Sequence, residues 1–389
     1  MKDYSNVISS RMQGIRPSGI RKYFDLLETM DDALTLGVGQ PDFETPWHIS
    51  QAAVTALQKG KTFYTGNAGL HELRAEVCRY LHRRFGLTYE PAQTLITVGG
   101  SEAIDLCIRV LVDQGDEVII PQPSFVCYGP LTEVCGGKPV YVGLREEDRF
   151  KLTPEILEKA ITPRTKLVVV PFPSNPTGAI MTREELEAIS RVIIKHDLFV
   201  LSDEIYAELN YGTHPHVSIA SLPGMKERTV VVNGFSKAYA MTGWRLGFCC
   251  GPQPVMTEML KLHQYGIMCA PTISQYGAVE ALRNGDEDIA YMVNDYNERR
   301  RLILAGLRSI GMDCFEPEGA FYVFPSIQKF GLSSEEFCEG LLRSERLAVV
   351  PGNSFGENGE GFIRLCYAYS IDTITKALDR MGRFISTLK

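Results

Sequence analysis

Hydrophobic positions in the middle of the chain come in short unbroken runs. They fall at TLITVG (94–99), EVIIP (117–121), KPVYVG (138–143), KLVVVPF (166–172), LFVLSD (198–203), RTVVVNG (228–234) and WRLGFCC (244–250). Most of them lack a polar face, so they predict strands covered on both sides, as in a mainly parallel sheet. Between them, apolar residues recur at helical spacing, as in SEAIDLCIRVLVDQG (101–115) and TREELEAISRVIIKHD (182–197). The second stretch opens with Thr182 and Glu185 at capping-box spacing. Strand and helix in alternation predict an α/β, doubly wound domain with a seven-stranded sheet over residues 45–280.

The pattern changes beyond residue 280. A long charged helix, NDYNERRRLILAGLRSIG, precedes three short strand candidates: AFYVFP (320–325), LAVVPG (347–352) and GFIRLCYA (361–368). With a terminal helix they predict a smaller α+β domain over 281–389. Residues 1–44 read as an arm and a helix (SGIRKYFDLLETM), too short to fold alone and expected to pack on the small domain or on a second subunit.

Composition adds mainly exclusions. The 389 residues carry a formal net charge of −7, which argues against a nucleic-acid or anionic-membrane partner. No window approaches ~18 uninterrupted apolar residues, and MKDYSNVISSRMQG lacks the apolar core of a signal peptide. The ten cysteines include no C-x-x-C pair, so reduced buried thiols in a cytoplasmic protein are expected.

Ligands of an open α/β sheet bind beyond the carboxyl ends of its strands. Gly99, Gly100, Ser101 and Glu102 follow the first run and open a helix, where backbone N–H groups favour an anion. Phe125 follows the second, Asn175 the fourth, Asp203 and Tyr206 come at the end of the fifth, Ser236 and Lys237 follow the sixth, and Arg245 opens the seventh. Each has a plainer reading alone: a turn, a core ring, a helix cap, a solvated lysine. Together they supply an anion cradle, a plane, an amide, a carboxylate, a phenol, an amine and a guanidinium. Pyridoxal phosphate needs such a set. No Walker A, GxGxxG or HExxH motif competes.

SNPTG, SDEIY and GFSKAYAMTGWRLG, in this order, resemble class I pyridoxal-phosphate aminotransferases of fold type I, closest to the prokaryotic aspartate, alanine and aromatic subgroup. LGVGQPDFETP, YTGNAGLHELR, GAFYVFP, PGNSFG and GFIRLCYA extend the likeness over nearly the whole chain. The resemblance implies that Lys237 takes the cofactor aldehyde and then moves the substrate Cα proton. It puts Asp203 on the ring nitrogen, where a pair at ~4 Å in an effective dielectric of ~20 is worth about 4 kcal/mol. Asn175 and Tyr206 would hold the phenolic oxygen, and Phe125 would stack on the ring. Gly100, Ser101, Glu102, Ser236 and Arg245 fall at the phosphate site, and Tyr64 would reach the cofactor of a partner subunit in a homodimer. One departure stands out: Gly234 replaces the first serine of the commoner Ser-x-Ser-Lys.

The resemblance also makes Arg364 the clamp for the α-carboxylate of an amino acid or 2-oxo acid, beside Gly39 and Asn175. The segment HQYGIMCAPTISQYG (263–277) has no arginine for a distal carboxylate. Some relatives use a lysine and a threonine instead, at places that match Ser101 and Ile20. Losing both donors leans toward aromatic or apolar donors with 2-oxoglutarate as acceptor. Aspartate or alanine transamination, and a C–S β-lyase on the same scaffold, are the alternatives. A cofactor-binding transcriptional regulator would add a basic DNA-binding domain, which this acidic sequence does not suggest.

Overall fold

The apolar runs between residues 94 and 250 form one sheet: β1 (Thr94–Thr97), β2 (Glu117–Gln122), β3 (Lys138–Gly143), β4 (Thr165–Val170), β5 (Phe199–Asp203), β6 (Thr229–Gly234) and β7 (Gly247–Cys250). This is a computed structural model; it describes residues 4, 6–15, 17, 19 and 32–388. The strand order is β1-β7-β6-β5-β4-β2-β3, with β7 antiparallel to both neighbours and the other pairings parallel.

Unbroken apolarity has its expected cause, since successive side chains of a strand enter cores on opposite faces. Leu167 and Val169 of β4 join one core with Leu201, Val230 and Val232, while Val168 and Val170 join another with Ile119 and Val200. The exception is β3, an edge strand whose Lys138 and Tyr141 are exposed. The predicted helices form as Gly99–Leu111 (α1) and Arg183–Lys195, the latter with Thr182 and Glu185 making both capping-box bonds.

A second core gathers the later elements. Tyr322–Val323 (β8), Val350–Pro351 (β9) and Ile363–Cys366 (β10) form an antiparallel sheet in the order β9-β10-β8. Helices Ser334–Glu345 and Ile371–Thr387 cover it with Phe337, Leu341, Met381 and Phe384. Helix Asp286–Ser309 touches both cores, with Ile289 on the large-sheet side and Tyr296, Ile303 and Leu307 on the other.

Two predicted strands are cut differently. LAVVPG is not one strand: Leu347–Ala348 pairs in parallel with Leu34–Thr35, whereas Val350–Pro351 joins β10. WRLGFCC becomes strand only from Gly247, because Trp244 and Arg245 lie in a turn. There Arg245 has φ 52° and the Trp244 indole donates to Thr45 Oγ1 at 2.9 Å. Ile20 and most of the expected helix SGIRKYFDLLETM lie outside the described residues.

Candidate active site

A cavity of about 350 Å³ opens where β1, β4, β5 and β6 end. The residues named from sequence line it, apart from Glu102, Tyr64 and Ile20.

Lys237 follows the end of β6, and its Nζ donates to the Gly39 carbonyl at 2.7 Å. Burial lowers its pKa from an ordinary value near 10.5 to about 8, and the positive charges of Arg364 and Arg245 push the same way. At neutral pH the amine is therefore much closer to losing its proton than a surface lysine.

Asp203 ends β5 and is buried. Tyr128 Oη donates to its Oδ2 at 2.6 Å and the Ile205 N–H to its Oδ1 at 3.2 Å. Burial still raises the carboxyl pKa, and Glu204 adds to the rise while both hydrogen bonds oppose it. Among the described residues Asp203 has no cationic partner. Glu204, next along the chain, points elsewhere: it accepts from His216 at 2.9 Å, Ser218 at 2.6 Å and Ser202 at 2.8 Å. Two adjacent carboxylates at one strand end thus serve different surroundings, and only Asp203 faces the cavity.

The anion cradle is built on close backbone approach. Gly99 has φ +75°, and a Cβ there would lie 2.8 Å from the Arg245 guanidinium. A Cβ on Gly247 would meet the carbonyl carbon of Gly99 at 2.6 Å and the Gly100 nitrogen at 2.7 Å. Gly234 pairs with Gly247 across the β6–β7 ladder, and its own Cβ would lie 3.0 Å from the Gly247 Cα. Glycines on three elements therefore bring the start of α1 down onto the sheet. Gly234 belongs to that packing, so its missing hydroxyl comes with a steric reason. Arg245 is anchored through Nη1 to the Thr242 carbonyl at 3.0 Å.

Arg364 sits on β10, almost fully buried. Nη1 donates to Asn175 Oδ1 at 2.9 Å and Nη2 to the Gly37 carbonyl, while Nε has no partner among the described residues. A buried guanidinium on the cavity wall, its fork already oriented by Asn175 and Gly37, is suited to an incoming carboxylate.

Three residues fall elsewhere. Glu102 turns back from the cavity: one oxygen accepts from the Val98 N–H at 2.5 Å and the other bonds His263 Nδ1 at 2.7 Å. Its carboxylate fastens the start of α1, because an acidic group beside the cradle would repel an anion. Tyr64 is 80% exposed and does not line its own chain's cavity. Ile20 lies outside the described residues. Among the cavity residues not singled out from sequence are two tyrosines that bond ones that were. Tyr128, three positions after Phe125, bonds Asp203; that spacing at a helix start was the available signal. Tyr322 bonds Tyr206, Oη to Oη at 2.7 Å, across two elements, and no local pattern marks it.

The donor set fits pyridoxal phosphate. Asp203 is a buried carboxylate without a cation among the described residues, Lys237 a buried amine whose pKa is lowered to about 8, and Gly99–Gly100 with Arg245 an anion seat at a helix start. The fold and site together define a fold type I pyridoxal-phosphate enzyme. The chain belongs to the family aminotransferase class I and II, whose model matches residues 31–381, and it is a pyridoxal-phosphate-dependent transaminase acting on amino acids and 2-oxo acids. A Bacillus subtilis (strain 168) protein assigned only generically as an aminotransferase, YugH, is 52% identical over 98% of this chain and 99% of its own. Aromatic-amino-acid aminotransferase 2 of Thermococcus litoralis is 42% identical over 98% of this chain and 99% of its own. The solved aspartate aminotransferase of Thermus thermophilus with maleate has a TM-score of 0.93 at 38% identity, covering 99% of this chain and 100% of that one.

Proposed function

We propose that the chain moves the amino group of an aromatic or other apolar L-amino acid to 2-oxoglutarate, in two half-reactions at this one cavity. The observation that carries the reading is the charge inventory of the lining. Among the described residues its basic side chains are Lys237, Arg245 and Arg364, and each has a task in this reading, so no further described cation is left in the lining for the side-chain carboxylate of a donor. Gln40 is a neutral donor left for the second carboxylate of 2-oxoglutarate, beside apolar Ile104 and Val38.

Bound pyridoxal phosphate supplies an electron sink for the pair left on the substrate Cα. The chain does the rest. Arg364 and Asn175, with Gly39 beside them, hold the substrate carboxylate and so orient the Cα–H bond. Lys237 would hold the cofactor aldehyde and, as a free amine, would carry the Cα proton; its lowered pKa suits a base near neutrality. Asp203, itself oriented by Tyr128, would hold the proton on the ring nitrogen. Asn175 and Tyr206 would donate to the phenolic oxygen, Phe125 would supply the plane, and Gly100, Ser101, Ser236 and Arg245 would seat the phosphate. Tyr64 would complete the phosphate seat of a second copy, which makes a homodimer the working unit.

A panel of donors against 2-oxoglutarate tests the substrate. Phenylalanine or tyrosine should give a higher kcat/KM than aspartate. Aspartate ahead by about tenfold, roughly 1.4 kcal/mol of transition-state binding, would overturn the assignment.

A further inference from the structure

We propose that Tyr322 is a positioning residue that acts through Tyr206 and Arg364 together, joining the ring end of the cofactor site to the carboxylate clamp. The inference rests on the roles given above to those two residues.

Tyr322 is 1% exposed and lies on β8, directly opposite Cys366 of β10. Arg364 is two residues before Cys366, so Tyr322 and Arg364 are diagonal neighbours on one face of that sheet, within reach for long side chains. The Arg364 guanidinium carbon sits 4.5 Å from the centre of the Tyr322 ring and 4.8 Å from that of Phe355. The ring thus fixes the guanidinium in the position from which it donates to Asn175 and Gly37.

The hydroxyl faces the other element. Tyr322 Oη and Tyr206 Oη are 2.7 Å apart, and Tyr206 follows β5 of the large sheet. Each phenol has one proton to give. If Tyr206 gives its proton to the phenolic oxygen of the cofactor, Tyr322 must be the donor within the pair. Two hydroxyls then point the same way, and each bond polarises the next by roughly 10–30%. Burial keeps the Tyr322 proton in place by raising its pKa. Room for this hydroxyl comes from Gly39, where a Cβ would lie 2.2 Å from the Tyr322 oxygen. One side chain therefore tunes the donor on the cofactor and steadies the clamp on the substrate, from a strand that belongs to neither residue.

The two halves separate in the holoenzyme. Tyr206→Phe should raise the pH at which the visible absorption of the bound cofactor changes, because the anionic phenolic oxygen loses a donor. Tyr322→Phe should move that midpoint in the same direction by about a fifth as much, with KM for the amino donor little altered because the ring remains. Tyr322→Leu, which removes the ring as well, should raise that KM by roughly 2- to 30-fold. A residue with only a structural part would lower the melting temperature and leave the midpoint alone. A shifted midpoint in Tyr206→Phe with none in Tyr322→Phe, or an unchanged KM in Tyr322→Leu, overturns the inference by itself. No shift in Tyr206→Phe overturns the role of Tyr206, and this inference with it.

Discussion

Lys237 and Asp203 show how burial prepares opposite charges for one ligand. Desolvation disfavours both charged forms, so the lysine pKa falls to about 8 and the carboxyl pKa rises. For Lys237 the folded pKa lies below the unfolded one, so the unfolded chain binds the extra proton between about 8 and 10.5. Stability of the cofactor-free protein should therefore gain from this group as pH rises through that window. Below about 8 both states are protonated, and the burial penalty of the cation is carried in full. Lys237→Ala should lose nearly all turnover and the visible absorbance of bound cofactor. In the cofactor-free state at pH 7 it should not be destabilised by more than about 1 kcal/mol, since relief of a buried cation offsets lost packing. A variant that keeps both absorbance and turnover would refute the role of Lys237. Asp203 was legible in sequence because a carboxylate at a buried strand end needs a reason, whereas Lys237 and Arg364 were legible through the motifs GFSKAYAMTGWRLG and GFIRLCYA and the family they resemble. Tyr128 and Tyr322 were not, because a buried tyrosine is ordinary core material until its hydroxyl finds a named partner.

At the scale of elements, the proposed phosphate seat depends on how closely β6, β7 and the start of α1 approach. Gly247→Ala would drive a methyl into the Gly99–Gly100 peptide, where the neighbour is backbone and cannot swing aside. It should cost about 1–3 kcal/mol, read in the melting temperature, and the enzyme should release its cofactor more readily on dialysis. Gly234→Ser tests the departure noted in the sequence. With Gly247 Cα at 3.0 Å and the Leu246 carbonyl oxygen at 3.2 Å of the new Cβ, the serine should weaken cofactor binding rather than add a useful hydroxyl. Tighter binding would mean that the seat accommodates the missing donor. The apolar runs announced the strands but not their ends. Trp244 is held outside the sheet by Thr45, 199 positions away, and Val349 separates two strands that pair in different sheets. Neither constraint is local.

At the scale of the whole molecule, the site spans two cores. Lys237, Asp203 and the start of α1 come from the large sheet, and Arg364 and Tyr322 from the small one. Gly37–Gly39 lies between them, receiving hydrogen bonds from Arg364 and Lys237. Asp42, just beyond, accepts from the buried Arg299 at 2.7 and 2.8 Å, so the segment is tied to helix Asp286–Ser309 as well. Exposed Phe63 and Tyr64 lie on a loop braced by Thr272, whose Oγ1 donates to the Phe63 carbonyl at 2.8 Å. If Tyr64 serves the partner's phosphate, Tyr64→Phe should weaken cofactor retention without changing the dimer mass seen by light scattering. Unaltered retention would remove Tyr64 from the phosphate site.

The sequence by itself determined the sheet and the cofactor class and named most of the polar side chains that line the cavity. Those follow from local facts: apolar runs long enough to be buried, and charged or glycine-rich stretches at their ends. Tertiary structure alone decided which hydroxyls hold Asp203 and Tyr206, why Gly234 is glycine, and that Glu102 turns toward His263 and away from the cavity. Each of these depends on the distance between atoms far apart in the chain, and the pattern of a single segment does not encode that distance.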